Sequence, residues 1–295
     1  MHSPPVENVS CIVVHHNSIE MLQLTIESLK AAGLRPHAIL IVDNSNSETT
    51  AMAQSVAIAE QVQFMAIENR GYAAAINAAL ELQARNGSEQ KYTLVSTHET
   101  LLDVRAIVEM KIALEANPTA AVAGPTLLAG NLSSSKIWSF GGRLTRTLKL
   151  PRHILDGGAA EGSAAVSRDW LDGALNLYVT EALRTHSLDE SYFLYFEETD
   201  LHTRFRKVGL GVLWVPKARA AQTSSGIPPR LLGRNLFMMV SRAFSPTRAR
   251  CAVIFESLRA LARKALTQRG TWADAGAILR GWFEGERIER ERRNR

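Results

Sequence analysis

The chain has 295 residues, 46% apolar and 21% charged, enough for one core of about 220 residues with an appendage. The longest run free of charge, residues 116–135, is broken by Pro118, Gly124, Pro125 and Gly130 and ends in Ser residues, which argues against a spanning helix. Met1–Pro5 lacks the basic segment and apolar core of a secretion signal, so a cytoplasmic protein is expected. Cys11 and Cys251 are the only cysteines; they fall in an apparent strand and an apparent helix, which excludes a disulfide framework or a thiolate metal site as a reading. The net charge of +5 is unevenly placed. Gly226 to Arg295 holds fifteen Lys/Arg against six Asp/Glu, a net of +9, which leaves residues 1–225 at −4.

In chain order, Val9–Val14 is a β-branched apolar run that predicts a strand, and Ile19–Ala32 carries apolar residues at helical spacing. Ala38–Val42 predicts a second strand, stopped by the polar turn residues Asp43-Asn-Ser-Asn-Ser47. Val62–Ile67 predicts a third strand, Gly71–Arg85 an alanine-rich helix, Tyr92–Ser96 a fourth strand, and 103–116 a further helix before Ala120–Ala123. Alternation of this kind predicts an α/β fold, a mainly parallel sheet with helices on both faces. Ligands of such sheets bind at the carboxyl ends of the strands. Those ends here are His15-His-Asn17, Asp43-Asn44, Glu68-Asn-Arg-Gly71 and Thr97-His-Glu-Thr100. Residues 130–168, rich in Gly and Ser with basic residues interspersed, suit a loop over the site. Three helices are predicted beyond Gly226: Arg230–Ala243, Arg248–Leu266 and Ala273–Arg293.

Several chemistries lack their signatures. There is no Gly-x-Gly-x-x-Gly, no phosphate loop ending in Gly-Lys-Ser/Thr and no Gly-x-Ser-x-Gly elbow. His15 and His16 leave a strand on opposite sides, which disfavours a shared zinc. The segment that most needs an explanation is Phe193-Leu-Tyr-Phe-Glu-Glu-Thr-Asp200, where three carboxylates follow four apolar or aromatic residues. Glu197, Glu198 and Asp200 suit the positive end of a helix dipole; equally, carboxylates at the edge of a core suit a substrate or cation that replaces lost water.

Six ordered motifs over about residues 8–225 settle which family this chain is similar to. They are Val13-Val-His-His-Asn17, Ile41-Val-Asp-Asn44, Glu68-Asn-Arg-Gly-Tyr72 with Asn77, Asp169-Trp-Leu-Asp-Gly-Ala174, Phe193–Leu201 and Val215-Pro-Lys-Ala-Arg219. Together they resemble the family 2 glycosyltransferases, closest to the bacterial rhamnosyl- and galactofuranosyl-transferase-like branch. The resemblance implies a GT-A fold with a Rossmann-like nucleotide-binding half, as a catalytic domain over 1–226 with a basic helical extension over 227–295. It implies sugar transfer, with inversion, from a UDP- or dTDP-sugar to a hydroxyl of a glycan or polyprenyl-linked acceptor in cell-envelope polysaccharide synthesis. By the same resemblance Glu198 is the base. His16, Asn17, Asp43, Asn44, Asn69, Arg70, Gly71, Asn77 and Glu99 border the donor; Trp170, Asp172, Gly173, Glu197 and Asp200 border the acceptor.

Asp43 can accept from a base imide or a ribose hydroxyl, and a helix opening at Gly71 faces anionic phosphate. The family pattern also implies Mg²⁺ or Mn²⁺. Here Thr97-His98-Glu99 replaces the usual acidic motif, leaving Glu99 at the ligand position, and Gln222 stands where relatives carry His. A catalytically silent nucleotide-sugar-binding protein is therefore the rival reading. In the basic tail, Leu231, Leu232, Leu236, Phe237 and Val240 form a stripe near Arg230, Arg234 and Arg242. It suits an anionic membrane surface or, alternatively, packing on the catalytic domain or a homodimer contact; no aromatic-basic pattern for nucleic acid is present.

Overall fold

The computed structural model describes residues 4–157, 164–223, 226–267 and 269–294. Strand β1 (Val9–His15) is buried at every position, the condition of a strand covered on both faces. It runs parallel to β2 (Ile39–Asp43) on one side. On the other it runs parallel to β4 (Tyr92–Thr97), and β3 (Gln63–Ala66) continues the parallel set beyond β2. Helices α1 (Ile19–Ala31), α3 (Tyr72–Arg85) and α4 (Ala106–Ala116) follow the predicted segments. A helix the periodicity did not announce, α2 (Ser47–Glu60), lies between β2 and β3. Its buried side chains are the small Ala53 and Ala57, so it lacks an apolar stripe. Its sequence signal is the cap Asn46, whose side chain accepts from Thr49 N–H at 3.0 Å.

The remaining strands are β5 (Thr100–Leu102), β6 (Ala120–Ala129), β7 (Ile137–Ser139), β8 (Gly142–Leu144), β9 (Pro151–His153), β10 (Val166–Ser167), β11 (Leu175–Val179) and β12 (Gly211–Gln222). The large sheet runs β10-β12-β6-β11-β4-β1-β2-β3. It is mixed: β11 lies antiparallel between β4 and β6, while β12 runs parallel to β6. The reversed direction of β11 brings its entry to the ligand-binding end of the sheet. Leu175 pairs with Ser96, so the residues leading into β11 arrive beside the carboxyl end of β4.

Two apolar cores cover the two faces of the sheet. After α5 (Thr180–His186) and α6 (Glu197–Lys207) come α7 (Pro229–Ala243), α8 (Pro246–Thr267) and α9 (Trp272–Arg293). A third core joins these three helices to Leu150, Tyr192 and Phe196. Residues on both sides of position 226 therefore share one packed interior. The apolar stripe of α7 faces that interior: Leu236, Phe237 and Val240 are at most 1% exposed, and they are unavailable to a membrane.

Candidate functional site

Parallel register aligns the carboxyl ends of β1, β2 and β4, with His15 opposite Asp43 and Val14 opposite Thr97. The His15 Nδ1 to Asp43 Oδ1 distance is 2.5 Å, with both side chains fully buried. Ser45 Oγ donates to Asp43 Oδ1 at 2.7 Å and Thr50 Oγ1 to Oδ2 at 2.5 Å. Burial raises the Asp43 pKa, but bonds from His15, Thr50 and Ser45 outweigh it and hold the carboxyl below its ordinary value. Asp43 thus fixes the loop after β2 from beneath. The rim above it is polar: His16 Nδ1 lies 3.1 Å from Asn44 Oδ1, and Asn44 Nδ2 donates to Asn69 Oδ1 at 3.4 Å. Asn69 Oδ1 also accepts from Gly71 N–H at 3.1 Å. Gly71 has φ +99°, and any Cβ there would overlap the Phe193 backbone. Glycine is required where that loop crosses α3.

The β4–β5 turn holds His98 and Glu99. His98 Nδ1 lies 3.2 Å from the Val14 carbonyl, which assigns it the proton and leaves Nε2 with a lone pair. That Nε2 is buried without a hydrogen-bond partner and lies 3.7 Å from Glu99 Oε1. Burial, then the neighbouring His15, push the His98 pKa down to about 4, so the imidazole is neutral near pH 7. Gln222 pairs with Thr100 beside this turn. Among the described residues no three His, Cys, Asp or Glu side chains converge. An orphaned imidazole nitrogen beside a carboxylate and an amide nevertheless fits a divalent ion whose other ligands are substrate oxygens or water.

The third wall is the acidic cluster. Phe193, Tyr195 and Phe196 have φ of 65°, 69° and 75°, values that cost bulky residues of order 1–3 kcal/mol each. α6 then opens at Glu197. Glu197 is 2% exposed; burial raises its pKa, with backbone N–H groups of Glu197 and Tyr195 and the charge of Arg234 pulling partly back. Glu198 faces the cavity. Its pKa is also raised, first by burial and then by the charge of Glu197. A Cβ on Gly173 would sit 3.4 Å from the Glu198 carboxyl carbon, so the glycine brings the β11 approach flush against this carboxylate. Tyr72 Oη donates to the Gly173 carbonyl at 2.8 Å and fixes it there.

The fourth wall is aromatic. Asp172 Oδ1 accepts from Trp138 Nε1 at 3.3 Å and lies 3.3 Å from His153 Nδ1. The His153 ring is 5.0 Å from that of Trp170 and 5.7 Å from that of Trp138, edge to face. Asp172 Oδ2 is buried and has no partner. Trp138 and His153 were not legible as site residues: they lie on three-residue strands within the segment read as a loop, where no periodicity marks them.

All four walls line one cavity of about 1110 Å³. It brings together His16, Asn44, Asn69, Gly71, Glu99, Trp170, Asp172, Gly173, Glu197, Glu198 and Gln222. Asn17, Asp43, Arg70, Asn77 and Asp200 lie outside its lining. Asn17 Nδ2 lies 2.9 Å from His16 Nε2 and steadies that ring. Arg70 pairs with Glu190 at 2.8 Å; Asn77 donates to the Leu188 carbonyl at 2.9 Å. The Asp200 carboxylate takes Tyr192 Oη at 3.1 Å and Arg204 Nε at 2.8 Å. These last residues brace the loop that carries the acidic cluster.

Residues 10–85 match the family described as Glycosyl transferase family 2. Among solved structures, the chain is similar to GalNAc-T7 with UDP, GalNAc and Mn²⁺, at TM-score 0.62 and 14% identity over 79% of this chain. The chain spans 47% of that structure's length. It is also similar to the mannosyltransferase PcManGT from Pyrobaculum calidifontis in complex with GDP-Man and Mn²⁺. There the TM-score is 0.56 and identity 13%, over 96% of this chain and 89% of the other. No curated protein matches the chain by sequence. The fold is the GT-A fold that these two structures share, and residues 10–85 carry the segment that matches the glycosyltransferase family.

Proposed function

We propose that this chain transfers a sugar, with inversion, from a nucleotide diphosphate donor to a hydroxyl acceptor, with Glu198 as the base. The observation that carries this reading is the Glu198 carboxylate: it is set on the cavity wall between the polar rim of β1 and β2 and the aromatic wall of Trp138, His153 and Trp170. His16, Asn44 and Asn69 provide donors and acceptors for a base and ribose. The aromatic wall and the unpartnered Asp172 Oδ2 suit a sugar ring and its hydroxyl. Glu198 takes the acceptor proton as the acceptor oxygen bonds to the anomeric carbon; the bond to the diphosphate breaks with its electron pair. A raised pKa brings the carboxyl closer to working pH, which favours proton transfer. A divalent ion held by His98 and Glu99, with Gln222 beside them, would neutralise charge on the departing diphosphate.

The finer reading is a UDP- or dTDP-sugar, of the rhamnose or galactofuranose class, passed to a glycan or polyprenyl-linked acceptor in cell-envelope synthesis. Support for a lipid-borne acceptor comes from α8. One side of it, with Arg259, Ala260 and Arg263, lines the cavity, while Ile254, Phe255, Leu258 and Leu261 stand exposed on another. No helix among the described residues is long and apolar enough to cross a membrane, so contact would be peripheral.

The test is Glu198→Gln, assayed for nucleotide diphosphate release over a panel of nucleotide sugars, with donor affinity measured by calorimetry. Turnover is expected to fall by about 10²–10⁴-fold with donor affinity unchanged. Near-normal turnover would overturn the assignment of the base. A wild-type chain that binds donor and never turns it over would be the silent binding protein instead.

A further inference from the structure

The run before Glu197 takes a shape that its own residues do not favour. Phe193, Tyr195 and Phe196 all have positive φ, and none is a residue that tolerates it easily. The backbone carbonyls of such a run point in divergent directions and cannot close a regular ladder, so each needs a donor from elsewhere. Four consecutive ones find it. The Tyr192 carbonyl accepts from Leu194 N–H at 2.8 Å and also from the Arg234 guanidinium. The Phe193 carbonyl accepts from Tyr72 N–H at 2.8 Å. Asn235 Nδ2 donates to the Leu194 and Tyr195 carbonyls, each at 2.8 Å.

Three of these five bonds come from two adjacent residues of α7, beyond the six motifs that first marked the site. Asn235 is fully buried and Arg234 is 9% exposed. Arg234 Nε donates to Asn235 Oδ1 at 2.8 Å. That bond occupies the amide oxygen and turns the amide nitrogen, the group with hydrogens to give, toward the loop. Arg234 is itself held from α9, where its Nη1 lies 3.4 Å from Glu284 Oε1. The start of the loop is tied down by the same helices: Arg242 bonds Asp189 Oδ2 at 2.6 Å and Glu289 at 2.6 Å.

We propose that Arg234 and Asn235 are positioning residues for the reaction: they lock the strained 193–196 loop so that Glu198 is delivered against Gly173 at the cavity wall. This role rests on the assignment of Glu198 as base. It makes the C-terminal helices a working part of the site. Neither residue touches the cavity, so neither contributes to donor binding directly. A loop released from these bonds relaxes toward ordinary φ values, and the first turn of α6 shifts with it. Displacement of a catalytic group by about 1 Å costs about 10²-fold in rate.

The experiment uses the full chain with Asn235→Ala, Asn235→Gln and Arg234→Lys. Each is measured by steady-state kinetics and by amide hydrogen exchange, with thermal melting to establish folding. Asn235→Ala is expected to lower the turnover number about 10²-fold with donor KM unchanged. Exchange should accelerate in 192–198 while β1 and β4 stay protected. Asn235→Gln, which keeps an amide donor, should recover part of the rate. Arg234→Lys keeps the charge, loses the bond that orients Asn235, and stands in should Asn235→Ala fail to fold. Unchanged exchange in 192–198, or a loss carried by donor KM alone, would overturn the proposal. Should the wild-type chain transfer no sugar, the proposed function fails, and the exchange measurement still decides whether α7 locks the loop.

Discussion

Glu197 and Glu198 are neighbours in sequence that meet different surroundings. Both line the cavity, but Glu197 is almost fully buried, with one carboxylate oxygen unpartnered, whereas Glu198 is half-buried. Because burial raises the Glu197 pKa above its ordinary 4.5, the folded state binds that proton more tightly than the unfolded chain does. Stability is therefore lost as pH rises from 4.5 through the raised value. Glu197→Gln cannot ionise, so its melting temperature should exceed that of the wild type by more at about pH 8 than at about pH 4, on either side of the shifted titration, in parallel thermal melts. An equal difference at both would show that Glu197 is not held protonated by the fold. The same substitution removes the like charge that helps raise Glu198, so the acid limb of the pH–rate profile should move to lower pH.

At the level of elements, α7 and α9 approach so closely that their glycines are part of the joint. A Cβ on Gly281 would overlap the Arg230 carbonyl, and one on Gly233 the Ile278 carbonyl. Gly276, on the same helix α9, would meet only the tip of the Arg280 side chain at 3.6 Å. Gly281→Ala should therefore destabilise the chain by about 1–3 kcal/mol through forced separation. Gly276→Ala should be neutral or stabilise by up to about 1 kcal/mol from helix propensity. Denaturant unfolding of both variants checks the contrast. Since α7 carries Arg234 and Asn235, Gly281→Ala should also lower turnover; Gly276→Ala should not.

For the whole molecule, the third core makes the C-terminal helices a lid on the acidic loop and leaves one face of α8 without a partner among the described residues. Leu258 there is 59% exposed. The exposed charged residues of α8 are all basic, because Glu256, its one carboxylate, is buried between Arg152 and Arg259. An apolar stripe with basic neighbours suits an anionic bilayer. The full chain should sediment with phosphatidylglycerol-containing vesicles and not with pure phosphatidylcholine, and Leu258→Glu should release it. A chain that stays in solution with both vesicles would refute the membrane reading. A dimer in light scattering that Leu258→Glu dissociates would make this face a homodimer contact.

How much of this was written in the chain depends on the range over which each signal acts. The parallel strands were legible because complete burial forces unbroken β-branched runs such as Val9–Val14, and the carboxyl-end rule then pointed to His16, Asn44, Asn69 and Glu99. The acidic cluster was legible because three carboxylates behind four apolar residues are costly without a purpose. Helix α2 escaped because it buries alanines. The reversed β11, the aromatic wall of Trp138 and His153, and the hold of Arg234 and Asn235 on the loop escaped for a common reason. Each depends on a contact between residues far apart in sequence, and no local period encodes such a contact. Sequence by itself determined the alternating frame, the placement of polar residues at its strand ends and the identity of the candidate base. Only tertiary structure decided that Asp43 works from beneath the pocket, that the α7 stripe packs inward, and that helices beyond residue 226 hold the acidic loop, because packing assigns every face its partner.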